Sequence, residues 1–203
     1  MGKRVVSFLV SGRGSNFKAV AEEIKKGSLN ARFGILISDK AGVGAFDIAR
    51  DYGITAHHVD PKSHGSREEH EREMIRLLKK AKTDLIVAAG YMRVLTPLFV
   101  REYRHRIINI HPALLPSFPG VHAQKQAFDY GVKIAGCTSH FIDEGTDTGP
   151  IILQAAVPVL PEDTEDTLAA RILREEHLIL PESVRLFCSD RLKVQGRKVL
   201  IKK

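Results

Sequence analysis

Short apolar runs and longer amphipathic stretches alternate along the chain. Residues 4–10 (RVVSFLV) are almost wholly apolar and end at Ser11-Gly12-Arg13-Gly14-Ser15-Asn16. A continuous run of that length closed by a glycine turn predicts a buried strand, and a helix follows to about Lys26. Residues 33–38 predict a second strand. The Gly42-Val43-Gly44 loop leads into a helix to about Tyr52, which Gly53 ends, and 54–59 is a short strand. Residues 67–80 predict a charged helix with Met74, Ile75, Leu77 and Leu78 on its inner face. Residues 85–89 (LIVAA) are apolar throughout, as in a sheet covered on both faces, and 106–111 is the next strand. Beyond a proline-rich loop, 123–130 is helical, 133–142 extended and 151–159 a strand, where Pro158 suggests an edge. Residues 164–186 predict a helix bent at Pro181, and Gln195-Gly196 the turn of a terminal hairpin between Leu192 and Ile201. Repeated strand–helix units imply an α/β fold built on a doubly wound, mostly parallel sheet, with the last strands free to run antiparallel.

Composition narrows this to one compact domain over residues 1–203: 43% hydrophobic residues suffice for a single core. No apolar run approaches the ~18 residues of a membrane span. The apolar stretch from Val5 to Val10 is too short for a signal peptide and passes straight into a glycine turn. Two cysteines, Cys137 and Cys188, form no CxxC and have no metal-ligand company, which predicts a reduced, cytoplasmic protein. The net charge of +7 invites a nucleic-acid reading, but six of those charges lie in Arg191, Lys193, Arg197, Lys198, Lys202 and Lys203, with no acid among them. A short, solvated basic tail from about residue 191 is the simpler expectation, and no nucleic-acid partner is expected.

The chemistry gathers at Asn109-Ile110-His111-Pro112, the end of a predicted buried strand. Residues two apart on a strand share a face, so Asn109 and His111 project together, and Pro112 stops the ladder there. Open α/β sheets bind ligands at such strand ends. An amide can donate to a developing oxyanion, and an imidazole can donate as a cation or accept a proton. Asp147, 36 residues on from His111 in Asp147-Thr148-Gly149-Pro150, would favour the charged form of that histidine. No serine or cysteine stands out as a nucleophile, so the set suits direct attack by an amine or water on an activated acyl carbon. Upstream, Gly12-x-Gly14-Ser15-Asn16 between strand and helix fits a phosphate cradle. It lacks the third glycine of a dinucleotide fingerprint, where Phe17 stands, although Asp39 sits where a ribose-binding acid would. A structural turn is the remaining reading.

Five motifs occur in order: Ser11-Gly12-Arg13-Gly14-Ser15-Asn16, Ala89-Gly90-Tyr91-Met92-Arg93-Val94-Leu95, Asn109-Ile110-His111-Pro112-Ala113-Leu114-Leu115-Pro116, Phe118-Pro119-Gly120 and Asp147-Thr148-Gly149-Pro150. In this run the chain resembles the phosphoribosylglycinamide formyltransferases, folate-dependent enzymes of purine synthesis, from about Lys3 to Leu192. The resemblance implies a Rossmann-like formyltransferase fold. It also implies transfer of a formyl group from 10-formyltetrahydrofolate to the amine of 5-phosphoribosylglycinamide, with small-molecule substrates, no metal, no membrane, and a monomer or homodimer. It assigns Asn109, His111 and Asp147 to catalysis. Gly14, Ser15 and Asn16 would hold the phosphate, and Glu176 the ribose hydroxyls. Met92, Arg93, Val94 and Leu95 would line the folate pocket together with Asn109. Asp143 and Glu144 belong to the loop over the pterin, and Arg67 is a further folate contact. Arg13 replaces the asparagine common between the two glycines of the family.

Several of these residues carry a plainer reading beside the functional one. Arg67-Glu68-Glu69 also fits a solvated helix face. His140 is more readily a satisfied core histidine than a site residue. Cys137 is a small core residue, and His57-His58 lacks the company of a metal pair. The alternative activity is that of another formyl-folate enzyme such as a deformylase. Those enzymes carry His-His where this chain has His111-Pro112, and an N-terminal regulatory domain. Methionyl-tRNA formyltransferases carry a C-terminal tRNA-binding domain.

Overall fold

The computed structural model describes residues 2–202. Its centre is β1 (Arg4–Val10), which pairs in parallel with β2 (Ala31–Ser38) on one side and β4 (Leu85–Ala88) on the other. β3 (Thr55–His58) extends the sheet beyond β2, and β5 (Ile107–His111) lies beyond β4, all parallel. The chain thus leaves β1 in both directions, the doubly wound arrangement expected from the alternating pattern. β6 (Ile134–Phe141) then runs antiparallel to β5, and β7 (Ile151–Pro158) antiparallel to β6.

Burial on both faces explains the continuous apolar strands. Val6, Phe8 and Val10 pack into one layer with Phe17, Val20 and Ile24 of α1 (Ser15–Lys26). The same layer holds Leu168, Ile172, Leu180 and Val184 of α6 (Glu165–Cys188). Leu9 points the other way, toward Met74, Ile75 and Leu78 of α3 (Arg67–Lys80). α2 (Ala45–Asp51) and α5 (Ala123–Tyr130) complete the first layer. α4 (Pro97–Glu102), with Phe99 and Val100, completes the second.

The structure differs from the sequence expectations in several details. α4 was not predicted; it is a six-residue helix with Pro97 in its first turn, too short to show a period. The second helix ends close to where expected, and α6 is the helix expected through Pro181, reaching Cys188. Core packing of Leu180 and Val184 against the sheet holds it where a lost hydrogen bond alone would interrupt it. Pro158 does mark an edge over most of β7, yet Ile151 at its start pairs with Lys198.

The terminal hairpin expected between Leu192 and Ile201 forms, so the residues from about 191 are sheet rather than a solvated tail. β8 (Leu192–Gln195) and β9 (Lys198–Ile201) form an antiparallel hairpin that joins the sheet through β9, in the order β3-β2-β1-β4-β5-β6-β7-β9-β8. Gly196 takes the left-handed turn position at φ +59°. The backbone here is ordered sheet, Lys193, Lys198 and Lys202 are exposed, Arg191 and Arg197 donate to the Lys202 and Thr148 carbonyls, and Lys203 lies outside the described residues.

Candidate active site

Asn109 and His111 end β5, and the turn at Pro112 leaves both on one face at the C-terminal rim of the parallel strands. Asp147 comes to meet them from the loop between β6 and β7. Its Oδ2 lies 3.3 Å from His111 Nδ1 and accepts from the Gly120 N–H at 2.8 Å; its Oδ1 is 3.5 Å from Asn109 Nδ2. His111 is buried, and its Nε2 donates to the Phe118 carbonyl at 2.8 Å. Both ring nitrogens therefore face acceptors. Burial pushes the Asp147 carboxyl up. Hydrogen bonding to His140, the Gly120 N–H, and the charges of His111 and His140 outweigh that, so the carboxyl titrates below its usual range. Asp147 holds this position with a left-handed backbone, φ +54°.

His140 is the buried, hydrogen-bonded histidine expected, its Nδ1 2.9 Å from the Phe141 carbonyl, and it also belongs to this cluster. It sits directly opposite Asn109 in the antiparallel β5–β6 ladder, and its Nε2 lies 3.1 Å from the Asn109 amide nitrogen and 3.6 Å from Asp147 Oδ1. Directly opposed residues share a face of the sheet. Only the strand register reveals this, and the register between residues 31 positions apart is not written in local pattern. A register shift between Ser139 and His140 against β7 adds a bulge beside the site. Thr138, opposite His111, accepts from Leu115 N–H at 3.0 Å and donates to the Ala113 carbonyl at 2.7 Å, which fixes the loop after Pro112.

The glycine turn lies across the rim. Gly14 has φ +81°, and a Cβ there would sit 2.8 Å from Ala45 Cβ, so the close turn requires glycine. α1 starts directly after it with no side-chain cap, leaving the first N–H groups of the helix, at Ser15 and Asn16, unspent. Asn16 Nδ2 donates to Glu176 Oε2 at 2.6 Å, which joins the cradle to α6. Asn16 Oδ1 is buried without a partner. Glu176 is buried too, and burial raises its carboxyl above the usual range against the opposing Asn16 bond. Asp39 does not project toward a ribose site: its Oδ1 accepts from Ser11 Oγ at 2.6 Å, and Ser11 Oγ accepts from Met92 N–H at 2.9 Å. These bonds clamp the loop after β1 to the loop after β4.

That second loop carries the predicted folate residues. Met92 and Val94 are exposed, Arg93 is half-buried and Leu95 is buried. Arg67 donates to the Val94 carbonyl, so in this structure it braces the segment from α3. Glu71, buried one turn further on, accepts from Thr96 N–H at 2.9 Å and from the Thr96 hydroxyl. Neither brace is visible as a pattern; Glu71 reads in sequence as one more charge on a charged helix. Asp143 and Glu144 turn their carboxylates into their own loop and toward α4. Asp143 Oδ1 accepts from Thr148 Oγ1 at 2.6 Å and Gly145 N–H at 3.1 Å, while Glu144 pairs with Arg101 at 2.9 Å. Among the described residues no group of three or more His, Cys, Asp or Glu side chains is placed to hold a metal ion, and no helix is long and apolar enough to cross a membrane. Cys137 and Cys188 are free, and burial pushes each thiol up to about 12.

The formyl transferase family pattern matches residues 3–184. The phosphoribosylglycinamide formyltransferase of Escherichia coli (strain K12) is 39% identical over 186 residues, which is 92% of this chain and 88% of that protein. The trifunctional purine biosynthetic protein adenosine-3 of Drosophila melanogaster is 46% identical over 91% of this chain, but the chain spans only 14% of that larger protein. Among solved structures, glycinamide ribonucleotide transformylase 1 of Symbiobacterium toebii superposes with a TM-score of 0.98 at 44% identity, covering 100% of this chain and 96% of that one. A formyltetrahydrofolate deformylase of Pseudomonas syringae pv. tomato gives 0.91 at 30% identity, covering 99% of this chain and 66% of its own. With its α/β sheet, its strand-end Asn109 and His111, and these relatives, the chain belongs to the formyl transferase family, among the phosphoribosylglycinamide formyltransferases.

Proposed function

We propose that the chain transfers the formyl group of 10-formyltetrahydrofolate to the amine of 5-phosphoribosylglycinamide, giving formylglycinamide ribonucleotide and tetrahydrofolate in purine biosynthesis. The observation that carries the reading is the convergence of Asn109, His111 and His140 on the Asp147 carboxylate at one strand end. The ribonucleotide phosphate sits on the free N–H groups of Ser15 and Asn16, with Gly14 letting the backbone come close, and Glu176 takes the ribose hydroxyls. Arg67, Met92, Arg93, Val94 and Leu95 form one side of the folate pocket, and the loop carrying Asp143 and Glu144 closes it. No metal takes part, and the partners are these two small molecules. Two buried thiols fit a reducing, cytoplasmic setting.

The glycinamide nitrogen attacks the formyl carbon, and the C=O π pair moves onto oxygen. Asn109 Nδ2–H and the His111 Nε2–H, which rests on the Phe118 carbonyl in the free protein, donate to that oxyanion. Asp147, 3.3 Å from His111 Nδ1, orients the ring for this donation. The tetrahedral centre collapses by breaking its bond to the folate N10, and the amine proton passes through water beside Asp147 to that nitrogen. A second reading, hydrolysis with water in place of the amine, is favoured only by the likeness to a deformylase. Mixing both substrates with the protein and following tetrahydrofolate by absorbance separates the two. Release that depends on the ribonucleotide supports transfer, and equal release without it supports hydrolysis.

A further inference from the structure

Asp147 sits at a left-handed φ of +54°, a region that Asp and Asn enter more readily than other side-chain-bearing residues, and the loop is held on both sides of it. Hydrogen bonds from within the site hold its carboxylate. The backbone just after it is held from outside: Arg197, in the turn of the terminal hairpin, donates from Nη2 to the Thr148 carbonyl at 2.9 Å. The residue after Arg197, Lys198, is the one that pairs with Ile151 of β7, so the tether is anchored to the same strand into which the loop runs. Within the loop, the Asp143 carboxylate accepts from Thr148 Oγ1 and the Gly145 N–H. A cavity of about 490 Å³ separates residues 142–145 from α4 and the hairpin turn. Across that cavity the loop is bridged by the Arg101–Glu144 pair at its entry and by Arg197 at its exit.

We infer that Arg197 is a positioning residue for Asp147, and that the basic hairpin serves the reaction by fixing the loop that delivers this carboxylate to His111. The inference rests on the catalytic reading of Asp147. Arg197 itself touches no reacting atom. It lies outside the strands that carry the site residues, so its loss leaves the core intact.

The test uses the full chain with Arg197→Ala, Arg197→Lys and Asp147→Asn, each measured for kcat, for KM of the ribonucleotide, and for Tm. Losing one charge-assisted bond to the loop is expected to lower kcat about fivefold to tenfold in Arg197→Ala. The ribonucleotide KM and the Tm should stay near wild type, because the phosphate cradle is across the rim. Arg197→Lys, which keeps one cationic donor, should recover most of the turnover. Wild-type kcat in Arg197→Ala, beside an inactive Asp147→Asn, would overturn the inference and leave the site reading standing. A fall in Tm with no change in kcat would make the contact purely structural, which also overturns it. An active Asp147→Asn would instead remove the reading on which the inference depends.

Discussion

Replacing Asp147 with Asn isolates the charge at the centre of the site. Asparagine has nearly the same shape, can accept from the Gly120 N–H as Asp147 Oδ2 does, and tolerates the left-handed φ of +54° better than most residues. Geometry is thus retained while the partner of His111 becomes neutral. At 3.3 Å, and with an effective dielectric of about 20, the carboxylate attracts a unit positive charge on the His111 ring by up to roughly 5 kcal/mol before solvent and neighbours readjust. Removing that carboxylate weakens the donor at the oxyanion, which costs on the order of 10²–10³ in kcat. Tetrahydrofolate release at saturating substrates gives kcat, and thermal unfolding gives Tm, which should move by no more than about 4 °C, the shift for about 1 kcal/mol in a chain of this size. The carboxyl is held below its unfolded value of 3.8, so its contribution to stability is complete above that pH and is lost as pH falls through the folded value. The variant should therefore lose less Tm than wild type between about pH 5 and pH 3. Near-wild-type kcat in a folded Asp147→Asn protein would refute the reasoning.

Other perturbations follow from the same geometry. Glu176 is buried and raised above 4.5, so its ionised form weakens the free fold as pH rises from there through the folded value. Glu176→Gln should therefore unfold at a higher temperature at pH 7 in calorimetry, yet raise the ribonucleotide KM about tenfold by removing a charged acceptor. Gly14→Ala meets both a φ of +81° and Ala45 Cβ at 2.8 Å, and should destabilise by roughly 1–3 kcal/mol in urea. Gly12→Ala, whose Cβ would meet nothing within 4 Å, is the matched control. Glu71→Ala strands the Thr96 N–H and frees the 92–95 segment, so the folate KM should rise severalfold while the ribonucleotide KM holds in steady-state kinetics.

The α/β sheet was legible in the sequence because its strands are buried on both faces and announce themselves as unbroken apolar runs. Asn109 and His111 were legible for a related reason: period two and a following proline place them without any tertiary knowledge. Asp147 was suggested by its loop, but its approach to both residues depends on the β6–β7 connection. His140 was legible as a buried histidine, but its place in the cluster was not. Its neighbours in the chain are buried strand residues, and its role comes from standing opposite Asn109 in a ladder whose register local pattern does not encode. Glu71 was hidden by its setting on a charged helix, although its carboxylate is buried. The terminal residues gave two signals: the run of like charges suggested a solvated tail, while Gln195-Gly196 between Leu192 and Ile201 marked the hairpin that forms.

The central claim is that the Asn109 and His111 pair moves a formyl group between two bound molecules rather than to water. A formyl-labelled 10-formyltetrahydrofolate, carrying ¹³C at the formyl carbon, tests it in one NMR experiment with the ribonucleotide present. The account predicts that the label appears as a formamide on the glycinamide nitrogen, in step with tetrahydrofolate release, and that Asn109→Ala slows its appearance on the order of 10²–10³-fold. Label recovered as free formate, at a rate indifferent to the ribonucleotide, would contradict it.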